Sequence, residues 1–492
     1  MSYYRNHLPL SGASGQSTGG YTINQSIRFN DDDNAYMHRT PSSGGNRDKW
    51  TWSAWVKRGD FLKSGTANHT MFSAGADSDT NNYSQILING SSGGASGTTF
   101  KFNSYTSGSA VANFATNSAF NDAAAWYHFV VVYDSGNAVT TNRVQMYVNG
   151  VRITSFGTAS YPSLNADSYV NHTVKHSIGR RNLDSSKYWD GYMTEIYLLD
   201  GYAYDPSYFG EFKEDTDIWI PKKYNGSYGT NGFFIDGRDS GDLGDDESGN
   251  GNDFTTSGLA AHDQVLDSPT NNFSVMNILS NYLSASTFAD GNLDVTRGGT
   301  NQPGPVNNIL LTTGKWYCEV YIVGSAASTY IGVLGNEIVS GGGNSNIPGG
   351  GSEGWGYLDA NGNLYHNGSE SSFGASLSAG DILGIALDLD NYKLYFSKNG
   401  TFQNSGDPTS GSTGTGAASL SSTPSQGGYF FSVGDGGNAA GTPRTIWNYG
   451  QEGTFSGRTS AGSNSDGNGV GNFKYSVPSG YLALCTKNLG AD

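Results

Sequence analysis

Residues 128–150 read HFVVVYDSGNAVTTNRVQMYVNG, and this stretch decides the fold. Two short β-branched and aromatic runs flank a polar turn, and the second run ends in Asn149-Gly150, the dipeptide of a tight hairpin. The same grammar returns in GYMTEIYLLD (191–200), followed by Gly201, and in DILGIALDLD (381–390), followed by Asn391. No window sustains a helical period. Short strands closed by Gly, Asn and Asp turns read as β-sandwich.

Composition extends this reading to the whole chain. A length of 492 residues exceeds one ordinary domain. Glycine, at 71 residues, stands at about twice average usage. Aromatics make up 13%, far more than a disordered chain carries. Charged residues are only 14%, which argues against long exposed helices and coiled coils. The formal net charge of −16 leaves no electrostatic reason to bind nucleic acid or an anionic membrane. Two cysteines, Cys318 and Cys485, are too few for a disulfide framework or a four-cysteine zinc site. They read as buried free thiols. No apolar run is long enough for membrane insertion. The opening MSYYRNHLPLSGASGQSTGG has no apolar core of a secretory signal. A Gly-, Ser-, Asn- and Tyr-rich β-protein without an export signal fits a virion protein assembled in the host cytoplasm.

The expected organisation has five parts. Residues 1–20 form a polar N-terminal docking arm and residues 21–212 a first strand-rich domain. Residues 213–275 connect, with the acidic, glycine-rich DSGDLGDDESGNGND at 239–253. Residues 276–455 form a second strand-rich domain. Residues 456–492 hold a low-complexity loop and a closing strand at YLALC (481–485). Two further loops, 340–353 and 404–428, are built of small residues and are too long for hairpin turns.

The first block resembles the laminin-G-like, concanavalin-A-like lectin jelly roll. The resemblance rests on YHFVVVYD, VQMYVNGVRI, HSIGRR and WDGYMTEIYLLDGYAY, in that order. The second block resembles the SPRY family through GKWYCEVYI (314–322), YIGVLG (330–335), GWGYLDANGNLYHNG (354–368), AGDILGIALDLDNYKLYFSKNG (379–400) and WNYGQEGTF (447–455). These resemblances imply an all-β chain of two concanavalin-like antiparallel β-sandwich (jelly-roll) domains joined by a glycine-rich connector. The combination resembles virion proteins of marine tailed bacteriophages. So do the opening SIRFNDDDNAYMHRTPSSGGNRDKWTWSAWVKRG and the closing VPSGYLALCTKNL.

Catalysis finds little support. A retaining glycosidase of sandwich fold needs paired carboxylates on one strand face, as in Glu-x-Asp-x-Glu, and the chain has no such run. Glu195 sits alone among apolar neighbours and reads as a structural residue of its strand. There is no Gly-x-Ser-x-Gly elbow, and GGGNSNIPGGGSEGWG lacks the lysine of a phosphate loop. No cofactor is required on this reading. Calcium has some support at Asp239, Asp242, Asp245, Asp246 and Asp253, and less at Asp31–Asp33, because hard cations collect carboxylate oxygens.

Binding is the better expectation. In KWTWSAW, Trp50 and Trp52 share one strand face and Trp55 the other, which reads as core packing for two of the three. Tyr161, Tyr169 and Tyr188 lie in turn-rich stretches and are the expected ligand-binding residues. The expectation is a non-enzymatic, multicopy or homo-oligomeric virion surface protein. It would adhere to a host surface glycan or protein from a tail fibre or similar appendage, the lectin-like block meeting the glycan. The SPRY-like block would contact other virion proteins. A capsid decoration or head-fibre role is the alternative, and a glycan-degrading enzyme a third.

Overall fold

The computed structural model describes residues 20–61, 68–89, 98–184, 187–280, 286–297, 304–324, 329–335, 347–436 and 443–490. These form two compact units, one ending at Asn272 and the other beginning at Phe273. Residues 1–19 of the arm expected at 1–20, and residues 340–346 of the loop expected at 340–353, lie outside the described residues. The described structure is nearly all β, in antiparallel sheets. No described helix is long and apolar enough to cross a membrane.

In the first unit, one sheet runs Val151–Arg152, Val144–Val148, Trp126–Asp134, Lys49–Arg58, Gly191–Asp200, Ser26–Phe29 and Gln264–Val265. The opposing sheet runs Phe156–Ser160, Ser109–Ala119, Thr99–Thr106, Tyr83–Asn89, Asn68–Gly75, His176–Ile178, Tyr36–Arg39 and Thr255–Ser257. The two-residue period of a strand explains how the tryptophans of Lys49–Arg58 divide. Trp50 and Trp52 face inward, buried in one cluster with Phe72, Phe102 and Ile86 of the opposing sheet. Trp55 faces the other way, in a second cluster with Trp126, Tyr192 and Trp219. Truncating a buried residue such as Trp52 to alanine costs about 3–5 kcal/mol.

Much of the expected connector at 213–275 is part of this unit. Phe233–Ile235 pairs with Gly191–Asp200, Thr255–Ser257 with Tyr36–Arg39, and Gln264–Val265 with Ser26–Phe29. Phe233 and Ile235 are fully buried in the main core. Asp267 and Asn272 anchor the end of the segment. Lys57 Nζ lies 2.7 Å from Asp267 Oδ2 and 2.7 Å from Asn272 Oδ1, and Trp126 Nε1 donates to Asp267 Oδ1 at 2.9 Å.

In the second unit, one sheet runs Ser286–Ala289, Asp294–Arg297, Arg444–Asn448, Lys315–Gly324, Ile382–Asp388, Lys393–Lys398 and Thr401–Phe402. The other runs Ser369–Ser371, Leu364–His366, Gly354–Leu358, Thr329–Leu334 and Phe430–Asp435. The rings of Tyr357 and Phe396 meet across the two sheets at 5.3 Å. YLALC does supply a strand: Leu482–Ala483 lies parallel to Lys315–Gly324. The 404–428 loop closes on itself through backbone bonds such as Asp407 N to Thr415 O at 3.0 Å.

Candidate ligand-binding cleft

Asn149 and Gly150 adopt φ of 46° and 78°, the left-handed pair of a two-residue hairpin, so Val148 and Val151 stand opposite each other. A second hairpin pairs Gly210–Phe212 with Trp219–Pro221. The indole of Trp219 is clamped between glycines of the two hairpins. A Cβ at Gly150 would stand 2.3 Å from Trp219 Cε3, and one at Gly210 would stand 2.4 Å from Trp219 Cζ2. No side chain fits at either position while the indole keeps its seat.

A buried polar relay fixes that seat. Trp219 Nε1 donates to His128 Nδ1 at 3.0 Å. Indole nitrogen is a donor only, so His128 is neutral with its proton on Nε2, which donates to Ser53 Oγ at 2.8 Å. The His128 ring stacks on Trp55 at 4.9 Å. Burial lowers its pKa to about 3, in keeping with the neutral tautomer.

Between the hairpins lies a cleft of about 410 Å³. Tyr147, Phe212 and Trp219 supply its aromatic surface, and Asp205, Ser207, Glu211 and Lys222 its polar groups. Phe212 is 47% exposed and meets Trp219 edge-on at 4.9 Å. Asp205 Oδ1 accepts from Ser207 N at 2.9 Å and Ser207 Oγ at 2.6 Å, capping the turn Pro206–Tyr208. Lys222 Nζ lies 3.7 Å from Glu211 Oε2, a loose pair on the surface. The Tyr204 and Tyr208 rings stack at 4.0 Å and 7°, and Tyr202 stacks on Tyr204 at 5.4 Å. Aromatic faces beside a carboxylate, a hydroxyl and an amine suit a ligand with both C–H faces and hydroxyl groups.

The expected tyrosines lie elsewhere. Tyr161 is half-buried and packs edge-on against Phe114 at 4.9 Å. Tyr169 donates to Asn82 Oδ1 at 2.9 Å, stacks on His172 at 5.4 Å and lies under Arg47. Tyr188 is half-buried, 6.1 Å from Tyr36. Each has its own neighbours, and none lines the cleft.

The acidic loop is organised around its own backbone. Asp246 Oδ1 accepts from Phe234 N and Ser248 N, and its Oδ2 from Asn252 N and Ser248 Oγ. Asp253 Oδ1 accepts from Asp246 N, Asp239 Oδ1 from Gly241 N, and Asp242 Oδ1 from Gly244 N. Desolvation, with the neighbouring carboxylates, raises the Asp245 pKa. Among the described residues no three His, Cys, Asp or Glu side chains converge as a metal-ligand set.

Glu195 is 3% exposed at a β-bulge with φ of 50°, and accepts from Tyr21 OH at 2.8 Å and from Tyr197 OH. Both of its carboxyl oxygens are engaged inside the fold, as a structural residue requires. Trp219 falls in the expected connector and Phe212 at the last position of the expected first domain, so neither stands out in sequence as part of a site. The available signal was the aromatic density of GYAYDPSYFGEF at 201–212.

Residues 30–203 match the family model of the concanavalin A-like lectin/glucanases superfamily, and residues 315–415 match that of the SPRY domain. The chain thus carries a concanavalin-like and a SPRY β-sandwich domain. No curated protein matches the chain. Among solved structures, the SPRY domain of human HERC1 is 20% identical, covering 32% of this chain and 87% of that one, with a TM-score of 0.25. A human SPRY domain is 18% identical, covering 32% and 90%, with a TM-score of 0.23. A heptameric SAP-like pentraxin from Limulus polyphemus is 13% identical, covering 38% and 80%, with a TM-score of 0.26.

Proposed function

We propose that the chain is a non-catalytic adhesion protein of a virion surface, whose lectin-like unit holds glycans in the Trp219–Phe212 cleft. Its SPRY-like unit serves protein contacts within the particle. The seating of Trp219 carries the glycan reading. Two hairpins give up side chains at Gly150 and Gly210, and a buried histidine fixes the indole, so that an aromatic edge stands beside Asp205, Glu211 and Lys222. A sugar would lay its C–H face against Phe212, with the edge of Trp219 beside it, and offer hydroxyls to the carboxylates. The virion setting rests on the order of the two domains and on their flanking segments.

A shallow open cleft of this size gives a weak single contact, with Kd near ~1 mM, about −4 kcal/mol. Useful adhesion then comes from several copies acting together. The test is retention of the full-length protein on immobilised host-envelope polysaccharide, with monomeric and clustered protein compared. Retention of the clustered form without release of reducing ends supports the reading. Release of reducing ends would show turnover and overturn the non-catalytic part. Absence of retention in both forms would overturn glycan binding.

A further inference from the structure

We propose that Lys57 and Asn272 condense to an intramolecular isopeptide bond, with Asp267 as the proton carrier. The proposal starts from three chemically complementary groups in one dry site. The side chains of Lys57 and Asp267 are fully shielded, and Asn272 is 5% exposed. Lys57 Nζ donates to Asn272 Oδ1 at 2.7 Å, the oxygen bonded to Cγ, the carbon that the amine must reach. The same Nζ lies 2.7 Å from Asp267 Oδ2. The amine therefore has an amide electrophile and a proton acceptor both within hydrogen-bond reach.

The surroundings favour the neutral reactants. Trp126 and Tyr192 wall the site, and Lys57 Nζ lies 5.4 Å from the Tyr192 ring centre. Burial lowers the lysine pKa, which eases loss of its proton to the adjoining carboxylate. Trp126 Nε1 holds Asp267 Oδ1 at 2.9 Å and leaves Oδ2 facing the amine. Asn272 Nδ2 donates to Ala124 O at 2.8 Å, so the amide is oriented and its nitrogen already has a polar neighbour as it departs.

The step balances without any added reagent. The ammonium of Lys57 passes one proton to Asp267 Oδ2, leaving an amine and a carboxylic acid. The Nζ lone pair forms a bond to Asn272 Cγ. Asp267 gives its proton to the departing amide nitrogen and takes one from Nζ. The Cγ–Nδ2 bond then breaks and ammonia leaves, with no change of oxidation state. The product ties the strand Lys49–Arg58 covalently to the last residue of the first unit. Such a cross-link restricts the unfolded chain as a disulfide does, in a protein whose two cysteines are both buried and form no disulfide.

Peptide mapping of the denatured full-length protein tests this. Acylated Lys57 resists trypsin, so the expected product joins residues 50–58 to residues 239–297, its mass about 17 Da below the sum of the two peptides for the lost ammonia. Asp267→Asn is expected to abolish the joined peptide, with circular dichroism checking that the variant folds. The wild-type map needs no variant. Free 50–57 and unmodified 239–297 as the only products, after prolonged incubation of the folded protein, would overturn the proposal and leave a plain buried ion pair.

Discussion

Lys57 Nζ and Asp267 Oδ2 stand 2.7 Å apart with both side chains completely shielded from solvent. Burying two charges is costly, and removing one partner from such a pair typically costs about 3–5 kcal/mol. The pair therefore makes residues near Asp267 part of the first unit. A piece comprising residues 11–272 is expected to unfold in one cooperative thermal transition. A piece ending at 212 loses Trp219, Phe233, Ile235 and Asp267, strands its Lys57 charge, and is expected to show no sharp transition. Calorimetry of both pieces checks this.

Gly150→Ala is expected to damage the cleft by unseating Trp219. The added methyl would meet the indole at 2.3 Å, and φ of 78° is strained for alanine. The expected cost is about 1–3 kcal/mol, together with loss of glycan retention. Urea unfolding and a binding assay on the same variant separate the two effects. Unchanged stability would mean that Trp219 is not held as described.

Stability should respond to pH in opposite senses through two buried groups of the first unit. Desolvation, opposed by the Tyr197 and Tyr21 hydrogen bonds, raises Glu195 from 4.5 to about 7, so the folded state keeps a proton that the unfolded chain sheds. Its contribution is complete below about pH 4.5 and is lost as pH rises through about 7. Burial lowers His128 from 6.5 to about 3, so its contribution is complete above about pH 6.5 and is lost as pH falls toward 3. Glu195→Gln removes the first effect and should gain about 3 kcal/mol over the wild type at pH 8 relative to pH 4. Urea titrations at both pH values decide this, and an equal difference at both would contradict it. Glu319 of the second unit, buried against Lys474 N, Tyr475 N and Tyr317 OH, is likewise raised to about 7, and its glutamine variant should follow the same sign.

Cys318 and Cys485 should be silent to thiol reagents in the folded protein. Both are completely buried, and burial pushes the Cys318 thiol well up, away from the reactive thiolate. An aromatic disulfide reagent is expected to find no thiol in buffer and two per chain in denaturant. Reaction in buffer at a rate independent of urea would contradict the burial.

The parts of this fold that were legible in the sequence are those with a strong local period. KWTWSAW divides its tryptophans between two faces as alternation requires, and Asn149-Gly150 makes the expected hairpin. Phe233–Ile235 and Gln264–Val265 are too short to carry a period of their own, and a glycine-rich setting hides them. Their strand character comes from partners more than 30 residues away in sequence, Gly191–Asp200 and Ser26–Phe29. The cleft was illegible for the same reason, since Trp219 gains its place from Gly150, Gly210 and His128 together. Tyr161, Tyr169 and Tyr188 are half-buried, and turn-rich sequence says nothing about Phe114, Asn82 or Tyr36 as their neighbours.

The most direct measurement is the affinity of full-length Phe212→Ala for the glycan that retains the wild type. Phe212 is nearly half exposed and lies at the cleft edge, so its loss should leave the thermal transition within a few degrees of the wild type. Glycan binding through the cleft predicts at least a tenfold fall in affinity, about 1.4 kcal/mol. Wild-type affinity in Phe212→Ala, with Tyr208→Ala equally unaffected, would contradict the account and move the glycan site away from Trp219.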